Sequence, residues 1–175
     1  TAVVRDGKSL ALGGLLQRTV LAALLLSSDR PIDVDTLVDR VWPHSPPAKP
    51  IASVRSYIAN LRRILADDRR SDRVVTDGGG YRLTLGTDTV DTDVFERLSA
   101  HSRRLLDNGD HHGASMISAQ ALALWRGAPL ADCRDHDWVQ DEIRRLEAVR
   151  TDVVETHYEA ELLMGGGAEL VSGLQ

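Results

Sequence analysis

The sequence predicts a mainly α-helical chain with a small β component. Three observations carry that expectation. Apolar residues recur at three- and four-residue steps over most of the length, which is helical spacing. Two short segments flank the turn sequences Asp6-Gly7-Lys8 and Asp77-Gly78-Gly79-Gly80 and read as hairpins. The charge changes sign along the chain: residues 1–86 carry a balance of +4 and residues 87–175 one of −9. Such a split points to a half that faces nucleic acid and a half that does not.

The chain has 175 residues, 27% charged and 42% hydrophobic, which is globular composition and excludes wholesale disorder. The longest apolar run, Val20–Leu26, is far short of the ~20 residues a membrane helix needs. The N-terminus shows no secretory signal pattern. The chain starts at Thr1, so the expectation is that the true start lies upstream. Cys133 is the single cysteine and makes no internal disulfide; a reducing cytoplasm is the natural expectation.

The elements follow in order. Ala2–Arg5 and Ser9–Leu12 form the first hairpin, and Gly13-Gly14 breaks the chain. Leu15–Ser28 is a buried helix, with Gln17, Arg18 and Thr19 as polar residues on its first turns. Pro31-Ile32 is a short extended link. Asp33 is a good N-cap for a helix over Val34–Val41, whose apolar positions 34, 37, 38 and 41 keep helical spacing. Pro43, Pro46 and Pro47 forbid helix from Trp42 to Ala48 and make a stiff loop. Pro50 fits the first position of the next helix. There Ile51, Val54, Ile58, Leu61 and Leu65 form one apolar face, and Ser53, Arg55, Ser56, Asn60, Arg62 and Arg63 occupy the other. Lys49 to Arg73 holds seven basic and three acidic residues. The second hairpin follows, with Val74 on one strand and Tyr81, Leu83 and Leu85 alternating on the other.

A helix pair, an amphipathic basic helix and a ribbon form a winged helix-turn-helix over residues 1–86. Its third helix fits a B-DNA major groove about 12 Å wide. Gly86–Asp93 reads as a linker. The half over residues 87–175 reads as helical after this linker: Asp91–Asp107, His112–Arg126, a long run Asp137–Met164 stopped by Gly165-Gly166-Gly167, and a further helix beginning at Ala168–Leu174. Helix pairs of this kind suggest tetratricopeptide-like packing.

The motifs resemble a known family. Gln17-Arg18…Val20-Leu21-Ala22, Asp35-x-Leu37-Val38…Val41-Trp42, Pro46-Pro47, Ser56-Tyr57-Ile58-x-Asn60-Leu61-Arg62-Arg63 and Gly80-Tyr81-Arg82-Leu83 resemble the OmpR-type winged helix of Streptomyces antibiotic regulatory proteins. Asp91-x-x-x-Phe95, Ala121-Leu122-Ala123-Leu124-Trp125-Arg126-Gly127 and Arg145-Leu146-Glu147 are similar to that family's bacterial transcriptional activation domain. The family domain runs on through further helix pairs, so the chain is expected to be a truncated portion. The resemblance implies a cytoplasmic activator that binds promoter direct repeats in double-stranded DNA as a head-to-tail pair. It further implies recruitment of RNA polymerase or its sigma factor, and control of antibiotic or other secondary-metabolite genes.

On this reading the DNA contacts are Gln17, Arg18, Ser53, Arg55, Ser56, Tyr57, Asn60, Arg62 and Arg63, with Gly80, Tyr81 and Arg82 as the wing. Gln17 and Arg18 sit at a helix N-terminus, where phosphate is favoured. The plain alternative for the charged positions is a solvated helix face. His44, Ser45 and Lys49 have the position of the family's polymerase-contacting loop, with Trp42 expected in the core. Trp125, Trp138, Phe95 and Tyr158 are expected as packing residues of the helical half. A protein-interaction scaffold and a repressor with the same DNA contacts are the competing functions.

No enzyme signature is present: the glycine runs lack the Lys-Ser or Lys-Thr of a phosphate-binding loop. His111-His112 with Cys133-x-x-His136 matches no standard zinc spacing, so neither metal nor cofactor is expected.

Overall fold

The computed structural model describes residues 1–27, 29–66 and 72–165. The chain is mainly α with a small β component, and it divides into two compact units. The first contains Thr1–Asp88 together with Leu130–Gln140; the second begins with Thr89–Pro129 and resumes at Asp141.

The first unit opens with a minimal hairpin. β1 (Val4–Arg5) pairs antiparallel with β2 (Lys8–Ser9) across Asp6-Gly7. Both turn residues have positive φ, 51° and 75°, as a two-residue type I′ turn requires. The Arg5 guanidinium donates to the Leu65 and Ala66 carbonyls at 2.9 Å each, capping the helix that ends there.

The first helix, α1 (Leu15–Leu25), buries Val20, Leu21, Ala22, Ala23 and Leu24, so it is the central helix of the unit. It stops three residues before the predicted Ser28. The Ser27 hydroxyl donates to the Leu24 carbonyl at 2.6 Å and closes the turn, and Ser28 lies outside the described residues. Asp33 caps α2 (Val34–Val41): one oxygen accepts the Thr36 N–H and the other its hydroxyl, both at 2.7 Å. Pro50 begins α3 (Pro50–Leu65), whose buried stripe is Val54, Ile58, Leu61 and Leu65. Ile51, expected on that stripe, is exposed in the first turn of α3.

The wing is broader than a hairpin. β4 (Val74–Asp77) and β5 (Gly80–Leu83) pair as predicted, and Ile32–Asp33, expected only as a link, is a third strand, β3. The order is β3-β5-β4, all antiparallel, with Ile32 opposite Tyr81 and Asp33 opposite Gly80. Leu12, Ile32, Leu37, Val41, Val74 and Leu83 complete one core with the stripes of α1 and α3.

Leu130–Gln140 is a strap on this first unit, although the sequence reading put it with the helical half. It makes two 3₁₀ turns, Ala131–Cys133 and Asp137–Val139. Trp138, expected to pack in the helical half, packs instead against the first unit's core. Its indole N–H donates to the Arg40 carbonyl at 3.0 Å, and the Arg40 guanidinium lies 5.0 Å from its ring centre. Two three-residue turns hide this from a periodicity reading, because neither is long enough to show a period.

The second unit is helical. α4 (Asp91–Asp107) and α5 (His111–Ala123) form a pair joined through Asn108–Asp110, with Asp110 accepting the Gly113 N–H at 2.9 Å as N-cap. α6 (Gln140–Leu163) follows the strap. Phe95, Ala121 and Val153 form one apolar cluster and Leu106, Ala114 and Ala160 another. Phe95 and Trp125 meet edge-to-face at 5.5 Å, so these two pack as expected. Tyr158 does not: it is exposed, because Val153, Thr156 and Ala160 hold the buried positions of α6. The helix expected over Ala168–Leu174 lies outside the described residues.

The α2 cap has a pH signature. The Thr36 backbone N–H, then its hydroxyl, hold the Asp33 carboxyl below its ordinary value of 3.8. The cap's contribution is therefore complete above that ordinary value and is lost as pH falls through the lowered one. Asp33→Ala is expected to lower the unfolding midpoint at neutral pH, with the gap to the parent closing below about pH 4 in an acid-denaturation series.

Candidate nucleic-acid interface

α3 is buried along one side only. Its opposite side presents Ala52, Arg55, Ser56, Ala59 and Arg63 to solvent, with Ser53 and Asn60 half-buried at the margin. These positions are three, one, three and four residues apart, so they form one stripe about three turns long. The exposed guanidiniums of Arg55 and Arg63 make no hydrogen bond or ion pair among the described residues. The Ser53 hydroxyl donates back to the Lys49 carbonyl at 3.2 Å. Arg55, Ser56, Asn60 and Arg63 thus offer two cations, a hydroxyl and an amide on one helical face.

Several other predicted site residues are spent inside the fold. Gln17 is buried, and its amide donates to the Leu12 carbonyl at 2.7 Å. Gly13, with φ of +83°, lets the chain turn back over that side chain. Arg18 donates to the Gly13 carbonyl at 2.9 Å and pairs with Asp132 of the strap at 3.0 Å. Burial raises the Asp132 pKa, but hydrogen bonds from the N-terminal ammonium and Arg18 outweigh it, and the net direction is down. The expected phosphate anchors at the start of α1 are thus internal ties.

Arg62 is likewise a structural residue. Its Nε donates to the Val74 carbonyl at 2.7 Å and its Nη2 to the Thr76 hydroxyl at 2.8 Å, and the guanidinium sits 5.8 Å from the Tyr81 ring centre. It clamps α3 to β4 and β5. Arg82 bridges Asp29 at 3.1 Å and Asp77 at 3.2 Å, and the hydrogen bond to Asp29 is the main reason its charged form is strengthened. The wing tip, Thr76–Gly79, therefore shows solvent a hydroxyl, a paired carboxylate and backbone amides rather than a free cation.

Positive φ in the turn is supplied by Gly78 and Gly79, at 56° and 85°, and not by Gly80. Gly80 has a different reason. A Cβ there would stand 2.4 Å from the Ile32 carbonyl oxygen, so β3 and β5 can approach only over a glycine. Tyr57 is half-buried with its ring 6.2 Å from Trp42, and both pack on the core. In the loop between α2 and α3, His44, Ser45 and Lys49 are all exposed. Cys133 is buried, and burial pushes its thiol up to about 11, so it is a neutral thiol at neutral pH. Among the described residues no group of three or more His, Cys, Asp or Glu side chains could hold a metal ion. No described helix is long and apolar enough to cross a membrane.

A winged helix with a one-sided polar third helix, followed by a helical unit, defines a class of transcriptional regulator. Residues 14–83 match the family described as "Transcriptional regulatory protein, C terminal", and residues 90–175 the "Bacterial transcriptional activator domain". The chain belongs to the Streptomyces antibiotic regulatory protein family. It is 31% identical over 170 residues to the regulatory protein AfsR of Streptomyces griseus, covering 97% of this chain and 17% of that one. It is 32% identical over 164 residues to the regulatory protein DnrI of Streptomyces peucetius, covering 90% and 60%. The structure of Mycobacterium tuberculosis EmbR in complex with a low affinity phosphopeptide superposes with a TM-score of 0.88 at 30% identity, over 99% of this chain and 46% of that one. The chain thus spans only part of the length of each of these relatives.

Three substitutions separate scaffold from contact surface. Gly80→Ala is expected to cost about 1–3 kcal/mol in urea unfolding, because the clash is with backbone and cannot be relieved by a rotamer. Arg62→Ala is expected to cost a similar ~1–3 kcal/mol through its lost charged hydrogen bonds, whereas Arg63→Ala stays within about 0.5 kcal/mol of the parent.

Proposed function

We propose that the chain is the DNA-binding and activating portion of a cytoplasmic transcriptional activator that reads promoter direct repeats. The observation that carries this reading is the exposed stripe of α3, with two guanidiniums that have no partner among the described residues, on a helix whose other side is committed to the core. Inserted in a major groove, Arg55 and Arg63 reach phosphates or guanine edges, and Ser56 and Asn60 reach base edges. Ser53 lies at the same margin. Gln17, Arg18, Arg62 and Arg82 act behind this surface, by holding α1, α3 and the wing in place. The wing contributes backbone amides and the Thr76 hydroxyl, which suit phosphate oxygens.

Direct repeats require subunits in head-to-tail order, so each pair uses two different surfaces of the chain. The exposed loop with His44, Ser45 and Lys49 lies between α2 and α3 and, in this reading, faces RNA polymerase or its sigma factor. In this reading the genes controlled are those of secondary metabolism or related pathways, as the family resemblance implies.

The test is the salt dependence of duplex binding. For each phosphate neutralised, log K falls with log[salt] by a slope of about 0.9. Arg55→Ala and Arg63→Ala are each expected to weaken binding and to flatten the slope by about one per bound subunit. Asn60→Ala is expected to change the preferred sequence more than the overall affinity. Unchanged slopes in both arginine variants would show that α3 does not meet the phosphate backbone, and would favour a protein-interaction role for this unit.

A further inference from the structure

The second unit carries a basic stripe that the DNA-binding reading does not use. Arg97, His101 and Arg104 follow one another at four- and three-residue steps along α4, all exposed. None of the three side chains makes a hydrogen bond or ion pair among the described residues. Their neighbours behave otherwise: Arg103 pairs with Asp107 at 3.2 Å, and Glu96 pairs with Arg145. Asp93, one turn before Arg97, makes no ion pair with it. Leu98 and Ala100 lie between the basic residues and complete the lining of an open groove of about 480 Å³. Leu98 is half-buried on the cluster of Phe95, Ala121 and Val153, so it forms a fixed apolar floor.

Guanidiniums without a partner among the described residues, set on an apolar floor, stand out on a unit of net negative charge. The second unit, residues 89–129 and 141–175, carries seven arginines against 13 Asp and Glu, a balance of −6, and that summed field repels a DNA duplex. A short acidic segment with an apolar side chain between its carboxylates meets local attraction from the guanidiniums and local burial against Leu98, while carrying far less charge than a duplex. We propose that this α4 groove docks an acidic, amphipathic peptide segment of a protein partner. Arg97 and Arg104 bind the carboxylates, and Leu98 and Ala100 receive the apolar side chain.

The proposal is independent of the DNA-binding surface on α3, and one set of variants separates the two. The probe is a fluorescein-labelled peptide with two leucines flanked by aspartates and glutamates, read by anisotropy; its control has serine in place of leucine. The parent chain is expected to bind the leucine peptide and to bind the serine control more weakly. R97E/R104E is expected to lose at least about tenfold in peptide affinity, and R97Q/R104Q a smaller part of it, with far-UV spectrum, unfolding midpoint and duplex binding as in the parent. Equal peptide binding by parent and R97E/R104E overturns the proposal. So does a charge reversal that leaves the peptide alone but weakens binding to a non-specific duplex, which would make the stripe a DNA contact. A change of oligomeric state in sedimentation velocity without peptide binding also overturns it, and assigns the groove to a second copy of the chain.

Discussion

The apolar stripe Val54, Ile58, Leu61 and Leu65 decides which way α3 faces, and the first unit is arranged around that decision. Each such side chain contributes about 1.5–3 kcal/mol when fully buried, so the helix cannot rotate without losing several of them. With that side committed to α1 and the sheet, Arg55, Ser56 and Arg63 are left facing water. Arg62, one residue from the exposed stripe, adds direction across the other axis. Its two hydrogen bonds to β4 set the distance between the helix and the wing. A recognition surface made of two elements needs such a tie, because a helix and a hairpin packed only by apolar contacts would keep some freedom to slide.

Arginine does both structural and interfacial work in this chain. Nineteen of its 21 basic residues are arginine, and the planar, forked guanidinium suits carbonyl and carboxylate partners inside a fold as well as phosphates outside it. Arg5 caps the end of α3, Arg18 holds the strap, Arg40 stacks on Trp138, and Arg82 joins the wing to the turn before β3. Arg55 and Arg63 differ: the helical period puts them on the exposed side of α3, where they have no partner among the described residues. The strap makes the first unit discontinuous in sequence. Trp138 and Asp132 reinforce a unit that residues 1–88 do not build alone, through contacts with α2 and α1.

Elements set by local chemistry were legible in the sequence. The Asp6-Gly7 turn, the Asp33 cap, Pro50 at the start of α3 and the buried stripe of that helix all follow from residues within one or two turns of each other. Contacts between residues far apart were not legible. Arg62 and Arg63 are neighbours with the same side chain, and only the three-dimensional position of β4 assigns one to the fold and leaves the other exposed. The same holds for Gln17, whose turn back to Leu12 depends on Gly13, and for Gly80, whose necessity comes from a carbonyl 48 residues away in sequence. The strap was missed because two 3₁₀ turns carry no period, and its tryptophan looked like one more helical core residue.

The central claim is that the outward side of α3 reads DNA sequence in a repeated, same-direction arrangement. The most direct measurement is selection from a randomised duplex pool at two salt concentrations, followed by sequencing of the retained duplexes. The account predicts enrichment of a direct repeat with half-sites about one helical turn apart, with the enriched motif the same at both salts although total retention falls. Retention without any enriched motif at either salt would contradict it, since a surface that only neutralises phosphates carries no sequence information.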